Sequence, residues 1–542
     1  MKKFDENPFK IQKRVRMPLG LTALPLVLAL TVSNIAAADD GGPLMEQGIQ
    51  FGDLAPGRTI VWSRTDRSAR MMVEYAFNEQ FDDSRIIRGP YALESTDFTA
   101  RQDLVGLPQG SDVFVKVWFE DLTNTHIKSE PVIGHFHTIG KRDNIRFVWG
   151  GDTAGQGWGI NESFGGMKIY ETMRQVEPQF FIHSGDNVYS DGPIPPSKPA
   201  ENGRMWTNIV TPEVSKVAET LDEFRGRYKY NLLDDNLRRF NAEVPQIWQW
   251  DDHEVVNNWS DAKDLSADSR YTVKDVPLLI ARATKAFHEY APLRPHDAEE
   301  SERIYRKLSS YGKLRKLSYG KLLDVFVIDM RSYRGPNTNN LQIQEGADTA
   351  FLGETQLDWL KNELKRSRAT WKVISADMPI GLNIGDGMDA QGNPRWEAIA
   401  NGNNGPAAGR ELEIARLLSF IKHEHINNIV WLTADVHYAA AHFYDPTKAQ
   451  TKGFSPFWEF VAGPLNAGSF GPNSTDDTFG PQVVFVKAPP AGQVNLSPYA
   501  GLQFFGEVNI DRKSRALTVD LKDIEGTTVF SKTLAADEAN RK

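Results

Sequence analysis

Phe180-Phe181-Ile182-His183-Ser184-Gly185-Asp186-Asn187-Val188-Tyr189 carries the clearest structural signal in the sequence. An apolar run typical of a β-strand ends at Gly185, an acid follows at once, and Tyr189 follows three residues later. Glycine permits a sharp turn at the strand end. The turn places Asp186 at the carboxyl edge of a sheet, where open α/β sheets bind their ligands. One Gly-Asp pair is also an ordinary turn signal, so the interpretation depends on repetition elsewhere.

Three further apolar runs end in acids or histidines. They are Phe147-Val148-Trp149 before Gly150-Gly151-Asp152, Gln246-Ile247-Trp248-Gln249-Trp250 before Asp251-Asp252-His253-Glu254, and Ile429-Val430-Trp431-Leu432-Thr433-Ala434 before Asp435-Val436-His437. Four strands that end in this way predict one metal centre at a sheet edge.

The residue types restrict the metal chemistry. The chain has no cysteine, so any metal is bound by oxygen and nitrogen ligands. Asp186, beside the tightest turn, is the predicted bridge between two adjacent cations. Tyr189 can reach the same site, and a phenolate oxygen favours a hard ion such as Fe(III).

Composition indicates a folded protein with an acidic surface. The 542 residues suggest two or three domains. Charged residues make up 25% and hydrophobic residues 40%, as in an ordinary soluble protein. The net charge is -9 although the first 38 residues are basic, so nucleic acid is not an expected partner.

Residues 1–38 are interpreted as a signal peptide. A basic segment precedes the apolar run Leu19–Val32, and Ala36-Ala37-Ala38 supplies small residues for cleavage. The apolar run is short for a membrane span, so no membrane anchor is expected after cleavage. The protein is predicted to be exported, either periplasmic or secreted; the choice between the Sec and twin-arginine routes stays open.

The chain changes pattern near residue 140. Residues 44–140 contain β-branched and aromatic runs separated by turn signals, as in a small immunoglobulin-like β-sandwich. Residues 145–535 alternate strands with helices. The last forty or so residues return to strands and are expected to close the second sheet of this larger domain.

Together these motifs resemble the calcineurin-like metallophosphoesterases, and within them the PhoD-like alkaline phosphatases and phosphodiesterases. The resemblance covers nearly all of the chain after residue 38. It is carried by Gly151–Trp158, Gly185–Tyr189, Trp250–Glu254, Ile328–Arg334 and Thr433–His437. It implies an α+β fold: an N-terminal immunoglobulin-like β-sandwich, then a metallophosphoesterase β-sandwich core flanked by α-helices.

The resemblance also implies two ligand sets. The first metal would be bound by Asp152, Asp186, Tyr189 and His437, and the second by Asp186, Asp252, Asp435 and Asp377. Fe(III) and Ca(II) are the expected metals. The all-oxygen second set suits Ca, Mg or Mn better than Zn. Well-known members place a cysteine near the end of the first catalytic strand; Asp152 would fill that role here.

The remaining polar residues are assigned from the same alignment of motifs and from their chemistry. His253 falls where the family has a catalytic histidine. Arg331 either clamps the substrate phosphate bidentately or neutralises Asp329, and both readings stay open. Asp251 is expected to orient His253 or a metal ligand. Residues predicted to lie on the surface without a role are Asn257, Asn258, His423 and His425.

The predicted function is an exported metal-dependent phosphoesterase. A metal-bound hydroxide at a multinuclear centre would hydrolyse phosphate monoesters, diesters or both, with His253 stabilising or protonating the leaving oxygen. The alternative is a non-catalytic exported binding protein stabilised by calcium. His253 and Tyr189 argue against it, because a structural calcium site needs neither. The substrate preference depends on loops after Gly192 and Gly381, so it stays open.

Overall fold

The computed structural model describes residues 41–141, 143–260, 262–294 and 315–537, and the predicted signal peptide at 1–38 lies outside these ranges. The N-terminal region contains β1 (Ile49–Ala55), β2 (Arg58–Arg64), β3 (Ala69–Ala76), β4 (Arg85–Ala92), β5 (Thr99–Val105), β6 (Asp112–Asp121) and β7 (Val132–His137). Here β1, β2 and β5 pack against a second layer, β4-β3-β6-β7, over a shared apolar core.

The first half of the larger region alternates strands and helices. Its elements are β8 (Ile145–Gly150), α1 (Lys168–Gln175), β9 (Phe180–Ser184), β10 (Ser197–Pro199), β11 (Met205–Thr207), α2 (Leu221–Asn231), α3 (Asp235–Asn241), β12 (Gln246–Gln249) and α4 (Val276–Tyr290). β8 and β9 are parallel neighbours in the sheet, with α1 between them in the chain. This confirms the βαβ unit that the alternating pattern predicts.

The second half supplies the facing sheet and the C-terminal strands. Its elements are β13 (Arg315–Tyr319), β14 (Leu323–Val327), α5 (Glu354–Arg366), β15 (Trp371–Ser375), β16 (Gly385–Met388), β17 (Pro394–Trp396), α6 (Glu411–His423), β18 (Ile429–Thr433), β19 (Ala439–Tyr444), β20 (Phe457–Val461), β21 (Pro481–Lys487), β22 (Phe504–Ile510), β23 (Leu517–Asp523) and β24 (Thr528–Leu534).

Two mixed sheets form the core of the larger region. Within the described residues, their strand orders are β24-β23-β22-β8-β9-β12-β1-β2-β5 and β13-β14-β15-β18-β20-β19-β21. Apolar side chains from both sheets meet between them, including Phe147, Ile182, Val373 and Leu432. Helices α1 to α4 cover the outer face of the first sheet, and α5 and α6 cover that of the second. The predicted fold class is confirmed.

The structure departs from the sequence prediction at the sheet edges. Strand β22 pairs with β8, so β22 to β24 extend the first sheet and the prediction that they close the second is wrong. Strand β1 lies parallel to β12, with Gly52 opposite Gln246. One sheet therefore runs without a break from the N-terminal sandwich into the larger region. None of the described helices is long and apolar enough to cross a membrane.

Candidate metal centre

The carboxyl ends of parallel strands meet at one edge of the two-sheet core. Strands β8, β9 and β12 are parallel neighbours in the first sheet, and β14, β15 and β18 are parallel neighbours in the second. The acids and histidines singled out by the sequence follow these strand ends: Asp152, Asp186, Asp251, Asp252, Asp329, Asp377, Asp435 and His437. The edge is therefore densely acidic.

Backbone conformation is unusual at this edge. The φ angles are 72° at Asp152, 51° at Asp186, 66° at Asp435 and 62° at His437. Non-glycine residues seldom adopt this left-handed region, and such residues cluster at functional sites. Gly185, with φ of 96°, lies where an added Cβ would come within 2.5 Å of the Asp251 Cβ. Glycine is required there for the ends of β9 and β12 to approach each other.

The first group of potential ligands contains Asp152, Asp186 and His437. All three are buried, and one ligand atom from each lies within 4.8 Å of the others. The Tyr189 hydroxyl lies 3.0 Å from His437 Nε2, which is 3.6 Å from Asp152 Oδ1. His437 Nδ1 lies 2.5 Å from the Gly468 carbonyl oxygen. Donation from Nδ1 to that oxygen leaves Nε2 free to bind a metal.

The second group contains Asp186, Asp252 and His253, again with ligand atoms within 4.8 Å. Asp186 belongs to both groups, as the bridging prediction requires. The backbone N–H of His253 donates to Asp186 Oδ1 at 3.1 Å. The backbone N–H of Asn258 donates to Asp252 Oδ2 at 2.5 Å. Asn258 is buried, so its predicted surface position is wrong, whereas Asn257, His423 and His425 are exposed as predicted.

His253 is held differently from the buried acids. Its Nδ1 lies 2.7 Å from Asp191 Oδ1, and 15% of its side chain is exposed, so it can be reached from solvent. Its ring packs on Tyr189 with centroids 4.3 Å apart. Burial lowers the pKa of His253, but Asp191, Asp252 and Asp186 outweigh burial and raise the pKa well above its ordinary value. Asp191 rather than Asp251 contacts the His253 ring, so the predicted role of Asp251 in orienting His253 is wrong; its alternative role, orienting a metal ligand, stays a prediction.

Several carboxylate oxygens at this edge are buried without a hydrogen bond. Asp152 Oδ2, Asp252 Oδ1 and both oxygens of Asp377 are buried without a hydrogen-bond partner among the described residues. Burial, reinforced by neighbouring carboxylates, raises the pKa of Asp152, Asp186 and Asp435 well above the ordinary value. Buried charges need a counter-charge. Oxygen-rich donors of this kind fit a pair of hard cations.

Arg331 lies beside these acids but is fully enclosed. Its side chain has no exposed area, and it forms ion pairs with Asp251 and Glu397. Its Nε is 3.5 Å from Asp377 Oδ2. Only its backbone N–H donates to Asp329 Oδ1, at 2.9 Å. The structure therefore places Asp377 against an arginine rather than within either group of three ligands.

Three supporting residues have no role assigned from the sequence: Asp191, Glu254 and Glu397. Glu254 accepts hydrogen bonds from the backbone N–H groups of Asn187 at 2.6 Å and Asp251 at 2.9 Å, and so ties the turns after β9 and β12 together. Asp191 follows Tyr189 by only two residues, and this closeness in sequence could have indicated a place near the site. Glu397 lies in the loop around β16 and β17, and nothing in the sequence marks it.

Two mixed sheets, flanking helices, and acids with a histidine at the strand ends define the fold and the site. Residues 147–521 match the family model described as PhoD-like phosphatase, and residues 31–140 match PhoD-like phosphatase, N-terminal domain. The chain belongs to the PhoD-like phosphatase family. It is 29% identical over 321 residues to alkaline phosphatase D of Bacillus subtilis (strain 168), across 57% of this chain and 50% of that protein. The match thus spans half the length of this relative.

Solved structures support the same architecture. The structure of PhoD aligns over 92% of this chain and 91% of its own, with a TM-score of 0.67 and 20% identity. A purple acid phosphatase from yellow lupin seeds aligns over 90% of this chain and 74% of its own, with a TM-score of 0.52 and 12% identity. At these identities the likeness is one of fold.

Proposed function

We propose that the protein is an exported metal-dependent phosphoesterase acting on phosphate monoesters, diesters or both. The observation that carries this proposal is the pair of ligand groups that share Asp186 at the sheet edge of a PhoD-like phosphatase fold. The name of the relative, alkaline phosphatase D, agrees with it. Export rests on the sequence pattern of residues 1–38.

The two groups would hold different metals. Asp152, Asp186 and His437, with the Tyr189 phenol beside His437, would hold the first metal, for which the phenol favours Fe(III). Asp186 and Asp252 would hold the second, for which the carboxylates favour Ca(II). Asp435, which the resemblance assigns to the second metal, lies outside both groups of three. Mn, Mg or Zn are the alternatives. When bound, such a pair neutralises phosphoryl oxygens and supplies a nucleophile near neutral pH.

His253 is the residue placed to move a proton. Asp191 accepts from Nδ1 at 2.7 Å and fixes the ring. Nε2 lies 3.9 Å from Asp252 Oδ1, so it faces the second group of ligands. Asp191, which is not a proposed ligand, is the first of the carboxylates that raise the pKa of His253, and so favours the protonated ring. A protonated Nε2 would donate to the departing alcohol oxygen as its bond to phosphorus breaks.

Arg331 fits a positioning role better than a substrate clamp. A clamp needs guanidinium N–H groups that a phosphate can reach, whereas this side chain is enclosed by Asp251, Asp377 and Glu397. Arg331 would hold the end of β12 and the loop around β16 and β17 together. Asp377 would then balance arginine charge instead of binding the second metal.

The activity can be tested on the purified protein after signal cleavage, with matched phosphomonoester and phosphodiester substrates and metal analysis. We expect turnover that disappears with chelation and returns with metal. His253→Ala should keep its metal and lose about 10²–10⁴-fold in kcat. Bound metal without turnover on any phosphate ester would favour the calcium-stabilised binding protein. Loss of metal in His253→Ala would make His253 a ligand.

The metal assignment has a visible readout. A phenolate bound to Fe(III) gives a charge-transfer colour, whereas Zn and Ca have no such transition. Tyr189→Phe keeps the ring that packs on His253, so the variant should fold while the colour bleaches. Colour that persists in Tyr189→Phe would exclude this phenol as the ligand. An iron-free, colourless and fully active wild type would show another metal in the first group.

A further inference from the structure

A cavity of about 700 Å³ lies at the opposite end of the strands from the metal centre. Its walls come from the turn between β1 and β2 and from the starts of β8, β14 and β15, and include Pro56, Ile145, Leu322 and Thr370. Because β8 has six residues, the cavity and the metal centre are separated by roughly 20 Å. A small substrate cannot occupy both.

The rim of this cavity is strongly basic although the chain carries a net charge of -9. Six cationic residues line it, and all six are exposed: Lys141, Lys321, Arg368, Arg512, Lys513 and Arg515. Asp143 is the acid on the same lining, and it is engaged elsewhere: it accepts from the Gly140 N–H at 2.7 Å and lies 3.2 Å from His137 Nε2. The cavity therefore has an uncompensated positive charge.

Basic residues beside the cavity, unlike those on its rim, are paired with acids. Arg315 forms an ion pair with Asp53, and Lys316 lies 3.4 Å from Asp324 and 3.3 Å from Glu363. Across the part of the chain that the structure describes, by contrast, the side chains of the six rim residues form no ion pair. Clustered cations around a cleft with apolar walls focus the electrostatic field on anions.

We propose that this cavity is a second binding site, for an organic polyanion that carries several phosphate or sulfate groups on an apolar body. Its volume falls within the usual range for small-molecule sites. The apolar wall, with Leu54, Ile139 and the ring of Tyr319, would contact the body of the ligand. The rim cations would contact its charged groups. The site is independent of the phosphoesterase proposal, because it shares no residue with the metal centre.

The first test compares two fluorescent probes on the full chain: pyrene trisulfonate (8-hydroxypyrene-1,3,6-trisulfonate) and pyrene-1-sulfonate. They share one ring system but differ in charge, and a phosphatase hydrolyses neither. We expect saturable binding of the trisulfonate, at least about tenfold tighter than the monosulfonate. Equal affinities would show that apolar surface alone recruits the probe. An absence of saturable trisulfonate binding would overturn the proposal outright.

The second test locates the bound trisulfonate. Arg512→Ser/Arg515→Ser removes two rim charges, and Lys422→Ser/Lys448→Ser removes two charges from exposed positions outside the cavity. We expect the rim variant to weaken binding by about tenfold or more and the control variant to bind like the wild type. Equal weakening in both variants would indicate a general effect of net charge. Unchanged binding in the rim variant would mean that the probe binds elsewhere. Either result would overturn the proposal that this cavity is the binding site.

Discussion

Two clusters of buried acids lie side by side at the same sheet edge, and they differ in what balances their charge. Around Arg331, the acids Asp251 and Glu397 are paired with a guanidinium that the chain itself supplies. Around Asp186, the described side chains within ion-pair distance of Asp152 and Asp252 are histidines: His437 lies 3.6 Å from Asp152, and His253 lies 3.9 Å from Asp252. Buried carboxylates at the same sheet edge therefore differ in whether the chain itself supplies an arginine beside them. The cluster without an arginine is the one proposed to take cations from outside the chain.

Replacing Arg331, the cation of its cluster, should have the largest effect. Arg331→Met removes the guanidinium and leaves Asp251 and Asp377 buried without their arginine, while Arg334 stays 3.6 Å from Glu397. We expect the free energy of unfolding to fall by about 3–5 kcal/mol. Chemical denaturation of the metal-loaded protein measures this loss. Arg331→Lys, which keeps one charge, should recover part of it. Unchanged unfolding together with a raised KM would instead identify Arg331 as a substrate clamp.

A smaller effect is expected where an acid acts through a neighbouring histidine. Asp191→Asn keeps the shape but removes the charge beside His253 Nδ1. We expect kcat to fall about 10–100-fold with metal content unchanged. Asp191 helps to raise the pKa of His253, so its loss lowers that pKa. Because the protonated ring is the active form, the alkaline limb of the kcat profile should move to lower pH.

The outcome for Asp191→Asn separates two roles. A positioning residue changes turnover and the pH profile together, and leaves bound metal intact. Loss of metal would place Asp191 among the residues that hold the second metal. An unchanged profile would mean that Asp191 does not set the protonation of His253.

The sequence revealed the strand-end acids because their signal is local. An apolar run, a glycine and an acid are sufficient to predict Asp152 and Asp186 at a sheet edge. The pairing of charges depends on residues that are far apart in the sequence. Arg331 contacts Glu397, 66 residues further on, only once the chain has folded. The pattern therefore could not decide whether Asp377 faces a metal or an arginine. Asp191 escaped because its role depends on the path of the loop after Tyr189.

For a similar reason, the sequence does not show which sheet each strand joins. The alternation of β22 and β23 predicts strands but not their partners. Pairing of β22 with β8 and of β1 with β12 depends on long-range packing between distant segments. The N-terminal sandwich was recognised by its composition, whereas its continuity with the larger region appeared only in three dimensions.

Asp186 is proposed to hold two cations jointly, and the Arg331 cluster is proposed to hold none. Anomalous diffraction from crystals of the metal-loaded wild type and of Asp186→Asn tests this most directly. We predict two peaks in the wild type, one beside Asp152 and His437 and one beside Asp252, and the loss of both peaks and of turnover in Asp186→Asn. A peak among Asp251, Asp377 and Glu397, or two retained peaks with normal turnover in Asp186→Asn, would contradict the account.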